Sequence, residues 1–76
     1  MPRFFFNLNF ATETVADPDG ADIADIDAAK IDARDAIREI AAQYLKVGKP
    51  LTLASISVCD MAGNEVAMVK TEDALG

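Results

Sequence analysis

The chain has 76 residues and a formal net charge of −6, with 51% hydrophobic and 26% charged residues. This balance is typical of a folded protein, and the length fits one domain spanning residues 1–76. Histidine is absent and cysteine occurs once, which excludes intrachain disulfides, Cys/His zinc sites and histidine acid–base catalysis. No apolar run is long enough to span a membrane and no signal peptide is evident, so we expect a cytoplasmic protein.

The N-terminal segment predicts one strand and allows a second. Residues 3–9 are rich in phenylalanine, and their alternation places Phe4, Phe6 and Leu8 on the core face. Residues 12–16 are long enough for a short returning strand. The turn Asp17-Pro18-Asp19-Gly20 follows, because proline presets φ and glycine accepts positive φ.

A long helix is predicted from about Ile26 to Val47. Asp25 can cap its N-terminus, and Gly48 followed by Pro50 ends it. The apolar residues that recur at three- and four-residue spacing form one stripe, which we expect to face the core: Ala29, Ala33, Ala36, Ile37, Ile40, Tyr44 and Val47.

Three residues fall opposite this stripe at 100° per residue, namely Ile31, Arg38 and Leu45. Two large apolar side chains would then point to solvent with an arginine between them. Interface cores favour this composition, so these residues are the candidate protein interface, and a weak homodimer is one outcome. A harmless exposed pair is the alternative.

The C-terminal segment predicts a hairpin. One strand is centred on residues 56–59 and another covers residues 66–70, and Gly63 and Asn64 between them tolerate positive φ. Residues 71–76 form either one helical turn capped by Thr71 or a frayed end. The fold class is therefore α+β, with one long helix packed on a three- or four-stranded antiparallel sheet in the order β-(β)-α-β-β.

Charge is spread unevenly along the chain. Residues 1–27 contain one basic and six acidic residues, whereas residues 28–49 contain five basic and three acidic ones. Because the only positive segment is a helix that also carries acids, we expect neither nucleic acid nor membrane as a partner.

Aspartates cluster between residues 17 and 27. An EF-hand loop starting at Asp17 would need glycine at position six and glutamate at position twelve, where this chain has Asp22 and Ala28. We interpret the cluster as a turn and a helix cap, and a weak divalent-cation site is the alternative. Cys59 has no base or positive charge nearby in sequence, so we predict no metal site, no cofactor and no catalytic residue.

Several short motifs together resemble a family of short bacterial proteins classed only as a domain of unknown function. They are the opening Met-Pro-Arg-Phe-Phe-Phe, the acidic turn at residues 17–20, the helix start at residues 25–29 and the hairpin at residues 58–66. The resemblance spans almost the whole chain. It departs at Asn7, Asn9 and residues 70–72, and it implies no activity, substrate or cofactor.

A further resemblance, to antitoxins with a partial double-stranded-RNA-binding fold, rests on residues 17–20 and 27–29. Those antitoxins have three strands before the helix, whereas we expect room for two here. The leading hypothesis is a small non-enzymatic protein-interaction module that self-associates. The alternative is an antitoxin-like or regulatory protein that binds an enzyme through its acidic surface.

Overall fold

A computed structural model describes residues 1–76 and contains five strands and two helices. The elements in chain order are β1 (Arg3–Phe10), β2 (Thr14–Val15), β3 (Ala21–Asp22), α1 (Ile26–Val47), β4 (Leu53–Cys59), β5 (Glu65–Lys70) and α2 (Thr71–Leu75). The helices lie on one face of the sheet, and the α+β class predicted from the sequence is confirmed.

The sheet is antiparallel throughout, in the order β2-β1-β4-β5. β3 pairs with the N-terminal half of β1, and β2 pairs with its C-terminal half. The edge of the sheet beside β1 is therefore formed by two short strands, β2 and β3, which residues 16–20 connect. This edge differs from the prediction: β3 was not expected, and three strands precede α1 instead of two.

Register fixes which side chains face the helix. Phe6 lies opposite Val58 and Leu8 lies opposite Ile56. Directly opposed residues point to the same face of a sheet. Because Val58 and Ile56 are completely buried, the predicted core face of β1 is the face toward α1.

The predicted ends of α1 are confirmed. Asp25 Oδ1 accepts a hydrogen bond of 2.8 Å from the Ala28 amide at the N-terminus. Gly48 is left-handed, with φ of 72°, and its amide bonds back to the last turn. Asp27 in the first turn and Lys46 in the last complement the helix dipole.

The core is centred on the N-terminal half of α1. Ala29, Ala33 and Ile37 are fully buried there. Val47 was expected on the buried stripe but is 65% exposed, which corrects the prediction. The helix is about 33 Å long at 1.5 Å per residue, and its last turn has no sheet beneath it.

The C-terminus forms the short helix α2, which packs on α1, β4 and β5. Thr71 is its first residue and not its cap. The N-cap position is Lys70, without a side-chain cap bond, and the buried Thr71 hydroxyl has no hydrogen-bond partner. In the β4–β5 turn only Gly63 has positive φ, so Asn64 is not the left-handed residue there.

Candidate functional site

The helix covers only part of the sheet. α1 packs against β4, β5 and α2, but not closely against β1 or β2. Three apolar side chains on the helix-facing side of β1 are therefore only partly buried: Phe6, Leu8 and Phe10. Val15 of β2 lies opposite Leu8 on the same face and is 44% exposed. An apolar part of the sheet is thus left without a covering layer.

A groove runs between this uncovered surface and the C-terminal half of α1. It has a volume of about 380 Å³ and is lined by Leu8, Phe10, Glu39, Ile40, Gln43 and Tyr44. The residues Tyr44 and Gln43 also line a neighbouring depression that continues to Val47. We call the surface formed by these residues and Val15 the β1–α1 groove.

The predicted interface residues lie outside this groove. Ile31 is 58% exposed and Leu45 is 83% exposed. They are about 21 Å apart along the helix axis, at 1.5 Å per residue. Arg38 lies between them, and its Nε donates a 3.1 Å hydrogen bond to the Ala74 carbonyl at the end of α2. We call Ile31, Arg38 and Leu45 the outer face of α1.

The other side of the sheet is polar and has no covering layer. Its central residues are Asn7, Asn9, Ser55, Ser57 and Cys59. The Asn9 amide donates to both Ser55 Oγ, at 3.0 Å, and Ser57 Oγ, at 2.8 Å. Ser55 and Ser57 are buried although no layer covers this face, and their hydrogen bonds with Asn9 give its centre a fixed polar pattern.

Cys59 belongs to this open face and is a poor nucleophile. Burial raises the pKa of its thiol, and the negative charges of Glu65 and Asp60 raise it further, while a hydrogen bond from Asn7 acts in the opposite direction. The thiol is therefore protonated at neutral pH, and the thiolate is the reactive form of cysteine.

Asp17 joins the two pieces of the sheet edge. Its Oδ2 accepts from the Phe6 amide at 3.1 Å, and its Oδ1 accepts from the Asp19 and Gly20 amides at 3.2 and 3.1 Å. Its own amide donates to Asn7 Oδ1 at 3.0 Å. The carboxylate thus takes the place of a missing strand partner at the gap between β2 and β3.

The protonation state of Asp17 affects the stability of this part of the sheet edge. Burial raises the pKa of the carboxyl, but the three backbone amide donors outweigh it, so the pKa lies below its ordinary value. A depressed folded-state pKa means that ionised Asp17 stabilises the fold above about pH 4, and that this stabilisation is lost as pH falls through the lowered pKa.

We therefore expect Asp17→Asn to be less stable than the unmodified chain at pH 7, with the difference shrinking as the pH falls below about 4 and through the lowered pKa of Asp17. Urea denaturation at several pH values measures it. Asp32→Asn, which makes the same change at an exposed residue of α1, is the control and should change the free energy of unfolding by less than about 0.5 kcal/mol. A constant difference between Asp17→Asn and the unmodified chain would contradict the role of the charge.

The other acidic residues are not gathered into a ligand set. The structure contains no group of three or more Cys, Asp or Glu side chains placed to hold a metal ion. Arg3 of β1 forms a 3.2 Å ion pair with Asp22 of β3, its partner in the strand register. At this exposed position the pair contributes little to stability.

Sequence reasoning missed the groove because it assigned Leu8, Ile40 and Tyr44 to the core and made no assignment for Phe10 or Val15. Leu8, Ile40 and Tyr44 follow the correct periodicity and point to the correct side, but the strand below them is not covered by the helix. The length of the second strand could have indicated the groove. Residues 12–16 allow only a very short strand, which is too small to carry a helix packed over it.

A family model matches residues 3–71, which is most of the chain. The chain belongs to the DUF6894 family, a domain of unknown function. The matched range of this DUF6894 protein includes all five strands and the whole of α1. No similar curated protein was found, and no similar solved structure was found. Neither helix of the DUF6894 fold is both long and apolar enough to cross a membrane.

Proposed function

We propose that this DUF6894 protein is a non-enzymatic interaction module that binds an amphipathic helix of a partner in the β1–α1 groove. The observation that carries the proposal is that α1 covers β4 and β5 but leaves the apolar side of β1 and β2 uncovered. We also propose that the module acts in the cytoplasm, where its single cysteine stays reduced.

The groove has the properties that helix docking requires. Its floor is formed by Leu8 and Phe10, and its wall by Ile40 and Tyr44. Helices bind such grooves through apolar residues spaced at one face. Glu39 and Gln43 at the margin supply polar contacts, as expected around the apolar centre of an interface.

The remainder of the surface supports a binding role over a catalytic one. The Cys59 thiol is protonated, and the Asp17 carboxylate is used by backbone amides. A nucleophile or a general base needs a free group beside a space for substrate. Neither Cys59 nor Asp17 lines the groove, whose ionisable lining residues are Glu39 and Tyr44.

Site-specific photo-crosslinking tests the proposal. A photoreactive residue is placed at Val15 in the groove or at Met68 on the opposite side of the sheet, and the full chain is irradiated in its native host. The positions are matched, because both are strand residues of similar exposure, 44% and 48%. We expect one defined crosslinked product from Val15, mapped by mass spectrometry to a helix of the partner.

Substitution of Tyr44 by Glu should abolish the Val15 product by placing a charge in the groove wall. Products of equal yield from both positions, or a product insensitive to Tyr44→Glu, would contradict the proposed binding site. A Val15 product that maps to an enzyme, at a segment that is not a helix, would instead favour the regulatory role through the acidic surface.

A further inference from the structure

We infer that two copies of this chain associate through β5: the β5 strand of one copy pairs antiparallel with the β5 strand of the other, and the two sheets become one. The inference does not rest on the β1–α1 groove. β5 is the last strand in the order β2-β1-β4-β5, so no strand lies beside its outer edge. The backbone amides and carbonyls along such an edge have the spacing of a strand, and another strand is the ligand that fits them.

The two edges of the sheet differ. The edge beside β1 is occupied by β2 and β3, and between them the Asp17 carboxylate accepts a hydrogen bond from the Phe6 amide. β5, by contrast, has six residues and no strand pairs with its outer side. Pairing through β5 leaves only the edges that carry two-residue strands, so the assembly closes as a dimer.

The charges of β5 favour a second copy as the occupant. Its only charged residues are Glu65 at the start and Lys70 at the end, and both are exposed. Neither forms an ion pair within the chain. An antiparallel pair of β5 strands brings the acidic end of each strand beside the basic end of the other.

An irregularity in the β4–β5 pairing places both charges on the same face. The register shifts between Val58 and Cys59, so that Glu65 lies opposite Cys59 while Lys70 lies opposite Ser55. Cys59 and Ser55 belong to the open polar face, and directly opposed residues share a face. Without the shift, two residues five positions apart on a strand would point to opposite faces. The shift therefore lets both charges meet their counterparts on the open polar face.

A two-fold axis at Met68 gives the register of the dimer. Met68 then lies opposite Met68 of the second copy, and Ala67 lies opposite Val69 of the second copy on the helix-facing side. Beyond them, Lys70 of each copy lies beside Glu65 of the other. The contacts across the axis are thus apolar or between opposite charges.

Charge reversal tests the inference, with sedimentation equilibrium of the full chain as the measurement. We expect the unmodified chain to dimerise with a Kd on the order of 100 micromolar. Glu65→Lys and Lys70→Glu should each weaken the dimer at least about fivefold, because each creates two like-charged contacts across the axis. Glu13→Lys and Lys46→Glu make the same charge changes at exposed residues away from β5, and should change the Kd by less than about twofold.

Mixing the two weakened variants gives the sharper readout. A dimer of Glu65→Lys with Lys70→Glu has opposite charges at both contacts, because one copy carries two basic residues on β5 and the other carries two acidic ones. The mixture should therefore associate at least about fivefold more tightly than either variant alone. Circular dichroism melts of each variant separate loss of association from loss of fold.

Hydrogen exchange identifies strand pairing as the mode of association. The β5 amides that point away from β4 should exchange at least about tenfold more slowly in concentrated protein than in dilute protein. A chain that stays monomeric at about 1 mM, a mixture that gains nothing, or a dimer without this protection would overturn the inference.

None of these results decides the fate of the groove, which the Val15 crosslink tests separately. Met68 lies on β5, so a crosslink from Met68 to β5 of a second copy would support the dimer, and the groove is judged by products on other proteins.

Discussion

Replacing Ile37 by Ala should lower the free energy of unfolding by about 2–5 kcal/mol. Ile37 is completely buried and belongs to the core cluster that joins α1 to the sheet. Truncation removes apolar contacts and leaves a cavity that the fully buried Ile56 and Val58 cannot fill without moving. In a chain of this length such a loss is a large part of the total stability.

Ile31→Ala is the matched control, because it makes the same chemical change on the same helix at a residue that is 58% exposed. It should change the unfolding free energy by less than about 0.5 kcal/mol. Urea denaturation of the three proteins measures both effects. Equal losses from the two substitutions would show that the buried side of α1 has been assigned wrongly.

The difference between these two isoleucines was predictable from the sequence, because helical periodicity is a local property. The same holds for the Asp25 cap and the Gly48 terminus, which depend on residues within one turn of the helix end. The helix and the two strands of the hairpin follow from such local patterns.

The lateral position of α1 on the sheet was not predictable in this way. Periodicity shows that Ile40 and Tyr44 point toward the sheet, but it does not show whether β1 or β5 lies beneath them. Their burial depends on contacts between segments distant in the sequence, which is why the stripe was predicted to be buried through Val47.

β3 was missed for a related reason. A two-residue strand has too few residues for alternation to be detected. Its pairing with β1 depends on contacts across the intervening loop, above all the Asp17 hydrogen bonds to the Phe6 and Gly20 amides. The sequence indicated a turn at residues 17–20, but not that this turn connects two strands on the same edge.

The position of α1 and the short edge strands together determine the candidate site. The β1–α1 groove and its β2 margin lie where the helix does not cover the sheet. Local sequence patterns therefore place these residues on the correct face but overestimate how far they are buried. Ile31 and Leu45, by contrast, are exposed as periodicity indicated, because residues opposite the buried stripe of a helix point to solvent.

Replacing Gly20 by Ala should be more destabilising than the same change at either of the other left-handed glycines. Gly20 has φ of 71°, a conformation that costs a residue with a side chain about 1–3 kcal/mol. A Cβ at this position would also lie 2.9 Å from the Phe4 carbonyl oxygen and 2.9 Å from two carbons of the Phe5 ring. Displacing them adds a cost of about 1–3 kcal/mol.

Gly63→Ala separates the two contributions, because Gly63 has φ of 86° and a Cβ added there would meet no atom within 4 Å. It should show only the backbone cost. Thermal and urea denaturation of both variants measure the difference, and exchange of the Phe6 amide reports whether its bond to Asp17 survives. Since residues 17–20 form one hydrogen-bonded corner, loss of Gly20 should also expose that amide and detach β3 from β1. Equal destabilisation by the two substitutions would mean that the Phe5 ring moves aside freely and that the corner does not hold the strand edge in place.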